Sequence, residues 1–93
     1  MTLWQLQTLL AVVRTGSFSA AALELDSAQS AVSYAVAELE RDLGVRLLER
    51  GRFGARPTAV GLRVAAHARA MLGLGEAVRQ EAALERGSVQ GRV

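Results

Sequence analysis

The stretch GSFSAAALELDSAQSAVSYAVAELERDLG, residues 16–44, decides the fold. Ser17 stands where its hydroxyl can cap the amides of Ser19 or Ala20, and Ala20, Ala21 and Ala22 then favour a short helix. Leu23 and Leu25 carry that helix to about Asp26, and Phe18 is expected in the core. Ser27 is placed to cap a second, longer helix, whose Val32, Val36, Leu39 and Leu43 form one apolar stripe. Gln29, Ser30, Ser33, Tyr34, Ala37, Glu38 and Arg41 occupy its other face, and Gly44 suits the left-handed residue that ends it. A short helix, a tight turn and a longer helix with a polar outer face make the helix-turn-helix pattern. Such a helix fits the major groove of double-stranded DNA, and short polar side chains near its start reach base edges. Gln29 can pair with adenine, Ser30 and Ser33 can bond a base edge or a phosphate, and Tyr34 can reach a phosphate or a thymine methyl. A merely solvated helix face would carry the same residue types, so the pattern alone leaves that alternative open.

Upstream, LWQLQTLLAVV at 3–13 has apolar residues at 3, 6, 9, 10 and 13, the spacing of an amphipathic helix, which Arg14, Thr15 and Gly16 end. Downstream, VRLLERGRFGARPT at 45–58 reads as a hairpin around Gly51 and Gly54, anchored by Leu47 and Leu48. Pro57 makes its second arm short and places it at an edge. Thr58 is a good N-cap for a last helix reaching about Arg86. So long a helix cannot bury its apolar face, which includes Leu72, Leu74 and Val78, against so small a domain all along its length, so a second copy of the same helix is the simplest partner. Val64, Ala68, Met71, Gly75, Val78 and Ala82 repeat at four- and three-residue steps and form the expected seam, with Leu72 beside it. The expected organisation is a DNA-binding unit at 1–58, a dimerisation helix at 59–86 and a linker tail at 87–93.

Composition narrows the function classes. With 93 residues, 51% of them hydrophobic, the chain has the size of one small folded domain. It has no Cys and one His, His67, which excludes disulfides, thiolate metal sites and paired His ligands; no cofactor is expected. Glu38, Glu40 and Asp42 are spaced by two and do not share one helix face, so no enzyme chemistry is expected from them. Glu40 is expected to pair with Arg46 or Arg50. Trp4 is expected in the core or at a dimer edge, and His67 at a surface or interface. The N-terminal run lacks a basic leader and is broken by Gln5, Gln7 and Arg14, so no signal peptide or membrane span is expected, and a cytoplasmic location is. Net charge is only +2, yet Arg46, Arg50, Arg52, Arg56 and Arg63 face Glu49 as the single acid between them. That local excess is the footprint of a nucleic-acid surface, and Arg suits phosphate and guanine better than Lys.

Read together, GSFSAAALELDSAQSAVSYAVAELERDLGVRLLER and PTAVG resemble the N-terminal domain of LysR-type transcriptional regulators. The matching residues are Gly16, Ser17, Phe18, Ala21, Ala22, Leu25, Ser27, Gln29, Ala31, Val32, Ser33, Leu39, Glu40, Leu43, Gly44, Leu47, Arg50, Thr58 and Gly61. The resemblance implies a mainly α fold: a winged helix-turn-helix of three helices plus a short two-stranded wing, followed by a long linker helix that dimerises. It implies base contacts from positions matching Gln29, Ser30, Ser33 and Tyr34, with the helix over about 28–43 in the major groove. The wing at Gly51–Arg56 would lie on the backbone or minor groove, with Arg52 and Arg56 as its contacts. Ser17, Ser27 and Thr58 stand where the family sets helix starts near phosphates.

Three positions depart from the family pattern: Ser30 stands for the usual Pro, Leu48 for Phe, and Pro57 for Leu. The first and third bear on base preference and wing geometry. Family members continue into an effector-binding domain, which these residues do not include, so a small-molecule effector, and a tetramer, would be expected only through such a domain. Two other readings remain open. One is a stand-alone module whose long helix heterodimerises with a full-length regulator and titrates it. The other is a related winged helix such as the N-terminal domain of the molybdate-responsive regulator, against which the Leu39–Gly44 and Leu47–Arg50 runs argue.

Overall fold

The computed structural model describes residues 1–90, with side chains through residue 87. The elements run α1 (Leu3–Thr15), α2 (Phe18–Glu24), α3 (Gln29–Leu43), β1 (Leu48–Gly51), β2 (Gly54–Pro57) and α4 (Ala59–Gln90). This is the expected order of three helices, a two-stranded wing and a long helix.

Local chemistry explains most of the boundaries. Thr2 and Gln5 form a reciprocal capping box at the start of α1, and Gly16 closes the helix at φ 75°. Ser17 accepts from the Ala20 amide at 3.2 Å and starts α2. Gly44, at φ 71°, closes α3. Thr58 accepts from the Gly61 amide at 3.0 Å and starts α4.

The turn between α2 and α3 differs from expectation. Asp26 takes φ 51°, a left-handed conformation that a short polar side chain tolerates. Its amide bonds Leu23 O at 3.2 Å, and the Ser27 amide bonds Ala22 O at 2.9 Å. This pair of bonds is the Schellman closure of α2. Ser27 therefore finishes the second helix instead of capping the third. Ala28 is the N-cap of α3 and makes no side-chain cap bond.

Leu6, Leu9 and Val12 from α1, Val32, Val36 and Leu39 from α3, Phe18, Ala21 and Ala22 from α2, and Leu47 and Leu48 at the wing's root form one core. Burying each large aliphatic side chain stabilises the fold by about 1.5–3 kcal/mol before chain entropy is counted. The stripe on α3 ends one step earlier than the spacing suggests, because Leu43 is 38% exposed. From α4, Ala65 and Ala68 are buried, and Val64 packs against the core.

The wing is an antiparallel pair with Leu48 opposite Pro57, Glu49 opposite Arg56, Arg50 opposite Ala55 and Gly51 opposite Gly54. Pro57 ends the second strand at the edge, as expected. The wing is also tied to the α1–α2 turn, since the Ala55 amide donates to Gly16 O at 2.9 Å. Gly54 lies so close to that turn that a Cβ would stand 2.4 Å from Gly16 O. Past the core, α4 runs on through Gln90, so residues 87–90 of the expected tail continue the helix; the rest of that tail, 91–93, lies outside the described residues. The described chain measures 59 × 24 × 19 Å, the long axis reflecting that helix. Among the described residues, no single helix is long and apolar enough to cross a membrane.

Candidate nucleic-acid interface

The core takes one side of α3 through Val32, Ala35, Val36 and Leu39. Helical geometry then turns Gln29, Ser30, Ser33 and Tyr34 outward. Gln29 and Ser30 are exposed, Ser33 is half-buried, and Tyr34 is 57% exposed. Because no side chain caps α3, its first amides are left to solvent or to an anion. Ser30, in place of Pro, adds one such amide.

Beside Tyr34, Trp4 lines a shallow groove with Gln5, Ala31, Ala35 and Glu38. Trp4 is thus a partly exposed aromatic at the edge of α3 and not a core residue. Glu38 pairs with Arg41 one turn along the same helix, which removes it from any carboxylate cluster.

The wing presents its arginines in two ways. Arg52 lies exposed at the hairpin turn. Arg56 stacks on the Phe53 ring, its guanidinium carbon 3.6 Å from the centroid. Stacking of this kind holds a long side chain in place and leaves its N–H groups free to donate. Arg50 shares with Leu48 the face of β1 turned toward the core, and it stacks on Phe18 at 4.0 Å. Arg50 and Arg46 line a concavity between α3 and β1 with Val36, Ala37 and Glu40. The sequence pattern brings these arginines to α3 only as ion-pair partners of Glu40, and does not show the stacking of Arg50 on Phe18. The two-residue alternation from buried Leu48 is the signal that puts Arg50 on that face.

Glu40 does not pair with either arginine as expected. Its Oε2 accepts from the Leu47 amide at 2.7 Å and from the Leu48 amide at 3.2 Å. Those two amides precede or begin the edge strand β1, so a carboxylate acceptor satisfies donors the chain would otherwise leave open.

The expected phosphate contacts divide. The Ser17 hydroxyl caps α2 and also bonds the Ser19 hydroxyl at 2.9 Å. Thr58 gives its only hydroxyl proton to Arg46 O at 2.8 Å, so it does not donate to a phosphate in this arrangement. Ser27 is half-buried in the α2 closure. Away from these residues, Arg14 binds Glu24 on the surface, and the guanidinium holds the Glu24 carboxyl below its usual range.

The expected dimer seam also divides. Ala68 is buried in the chain's own core, and Val64 is half-buried against it. Leu72 is half-buried in a concavity with Leu10, Val13, Arg14 and Arg69. Met71, next to it, and Leu74, Val78 and Leu84 further on are exposed large apolar side chains. Gly75 is half-buried, Ala82 is exposed, and His67 lies on the surface of α4.

Known proteins share this arrangement. The family model described as "Bacterial regulatory helix-turn-helix protein, lysR family" matches residues 3–62. A relative from Synechococcus elongatus, "Probable HTH-type transcriptional regulator LrrA", is 61% identical over 87 residues; these are 94% of this chain and 30% of the relative. The chain thus spans about a third or less of that regulator. Two solved structures cover most of it. The "CbnR_DBD-DNA complex" superposes with a TM-score of 0.81 at 37% identity, over 90% of this chain and 99% of that one. The "BenM_DBD/benA site 1 DNA Complex" gives 0.83 at 33% identity, over 88% and 92%. The chain belongs to the lysR family of bacterial regulatory helix-turn-helix proteins.

Proposed function

We propose that the chain binds double-stranded DNA in a sequence-specific manner, as the DNA-reading part of a transcription regulator. The observation that carries this reading is the two-sided character of α3. Its inner side is sealed into the core, while Gln29, Ser30, Ser33 and Tyr34 stand outward on a helix whose first amides are uncapped. Gln29 and Ser33 read base edges in the major groove, and Tyr34 meets the sugar–phosphate backbone or a thymine methyl. Arg52 and Arg56 set the wing on the backbone or in the minor groove. Ser17 approaches a phosphate at the start of α2. Two copies associate through the exposed apolar residues of distal α4, which include Met71 and Val78, and read two half-sites. No catalytic step is involved, and the site of action is the bacterial cytoplasm, where the DNA lies. Effector sensing belongs to a region beyond these residues, in keeping with the greater length of the relatives.

A duplex selected from a random pool by the 93-residue chain provides the test. Affinity for it is expected to fall linearly with the logarithm of salt concentration, and unrelated duplexes are expected to bind more weakly. Equal, salt-independent weak binding to all duplexes would falsify the reading. The alternative of a titrating heterodimer has no observation that favours it over this one.

A further inference from the structure

We infer that Glu40 is a positioning residue for DNA recognition, which locks α3 to the short segment from which the wing and α4 both hang. The inference rests on the DNA-binding reading above. Only three residues, Val45, Arg46 and Leu47, separate the left-handed Gly44 from β1. A link with a left-handed glycine at its start does not by itself hold α3 at one angle to the wing.

Hydrogen bonds hold it from both sides. On the α3 side, Glu40 Oε2 accepts from the Leu47 and Leu48 amides, and the Glu40 carbonyl accepts from Gly44 at 2.8 Å and Val45 at 3.3 Å. On the α4 side, the Thr58 hydroxyl donates to Arg46 O at 2.8 Å, and the Thr58 amide donates to Leu47 O at 3.0 Å. Gly61 lets α4 come in so tightly that a Cβ there would stand 2.0 Å from Leu47 O. The Leu47 side chain is fully buried beneath these contacts.

Three elements with separate tasks therefore meet on one peptide segment. α3 carries Gln29 and Ser33, β1 leads to Arg52, and α4 leads to the second copy. The bonds from Glu40 are charge-assisted, which makes them about twice as strong as neutral ones. Without them α3 keeps its apolar packing, and the bond from the Ala55 amide to Gly16 O still ties the wing to the α1–α2 turn, but the tie that sets α3 itself against β1 is gone. Base reading and backbone contact then no longer register on the same duplex.

The test compares Glu40→Ala, Glu40→Gln and Glu40→Asp in the 93-residue chain, on the duplex selected by the parent protein. Thermal melts establish the temperature at which each variant is folded, and binding is read there. Glu40→Ala is expected to lose about tenfold or more in affinity, in line with losing hydrogen bonds to a charged group. Its salt slope is expected to flatten by about 0.9 for each phosphate that the wing no longer reaches. Glu40→Gln keeps an acceptor at the same reach and is expected to restore both the affinity and the slope. Glu40→Asp keeps the charge but falls one methylene short, and is expected to resemble Ala.

A role in global stability alone would shift the melts while leaving the salt slope of the folded protein unchanged. A folded Ala variant with the parent's affinity and slope overturns the inference, as does a Gln variant as defective as Ala. If Ala does not fold, the comparison of Gln with Asp decides: an Asp variant equal to the parent overturns it. Arg52→Ala serves as the control. If the parent protein shows no salt-dependent binding, the DNA reading itself fails and takes this inference with it. If the parent binds and Arg52→Ala flattens the slope while every Glu40 variant behaves as parent, only the Glu40 assignment fails.

Discussion

The two long helices meet the same requirement in opposite ways. α3 packs four residues into the core and turns a polar face outward. α4 packs its first turns through Ala65 and Ala68, then runs on with Leu74, Val78 and Leu84 exposed. The contrast separates the partners by chemistry. A polar outer face with uncapped amides suits an anionic polymer that offers acceptors and donors. An apolar outer face suits another apolar helix, because only removal from water offsets its exposure.

The sharpest way to break the comparison is to make one substitution in both helices. Leu39→Ala, in the core side of α3, is expected to cost about 2–5 kcal/mol of folding stability, read by denaturant unfolding. Leu74→Ala, 68% exposed on α4, is expected to leave the monomer's stability nearly unchanged and to raise the dissociation constant of the dimer. Equal stability losses from the two would dissolve the distinction between core and docking face. Next in size, Met71→Pro removes a helix hydrogen bond where α4 leaves the core, at about 3 kcal/mol in helix terms. Sedimentation should then report monomer mass, and an unchanged dimer would mean that distal α4 is not the seam.

On the α3 side, Gln29→Ala is expected to cost about 1–3 kcal/mol on the preferred duplex and to relax discrimination at one base pair. Arg52→Ala should weaken binding to all duplexes alike and reduce the salt slope by about one. If both variants instead behave identically across sequences, the division between base reading and backbone contact is wrong. The smallest effect belongs to the surface pair of Arg14 and Glu24. The Glu24 carboxyl titrates below its usual range in the folded chain, so its contribution is present above the unfolded pKa and is lost as pH falls through the folded one. The pair lies on the solvent-exposed surface, so Glu24→Gln should leave the melting temperature nearly unchanged at neutral pH.

What could be read from sequence was what depends on near neighbours. Gly16, Ser17, Gly44 and Thr58 close or open helices by bonds within a few residues, and each does so as expected. Ser27 misleads because its role depends on Asp26 adopting a left-handed conformation, which a non-glycine residue rarely takes. Glu40 misleads for another reason. Its partners are backbone amides seven and eight residues away, and amides carry no residue-type signal, whereas the nearby arginines do. The α4 seam divides because periodicity identifies a stripe but not which length of it the chain's own core has already used. Arg50 belongs with these, since its stacking on Phe18 joins a strand to a helix start far along the chain.

The length of α4 has a mechanical consequence. Its 32 residues span about 48 Å, at 1.5 Å per residue. Pivoted at Thr58, such a lever turns an angular error of about 4° into a displacement of about 3.4 Å at its far end, one base-pair step along a DNA strand. If two copies read two half-sites as proposed, single-base-pair accuracy requires that the pivot hold its angle within a few degrees. That angular tolerance is set over the first turns of α4, from the close approach of Leu47 O to Gly61 through the buried Ala65 and Ala68.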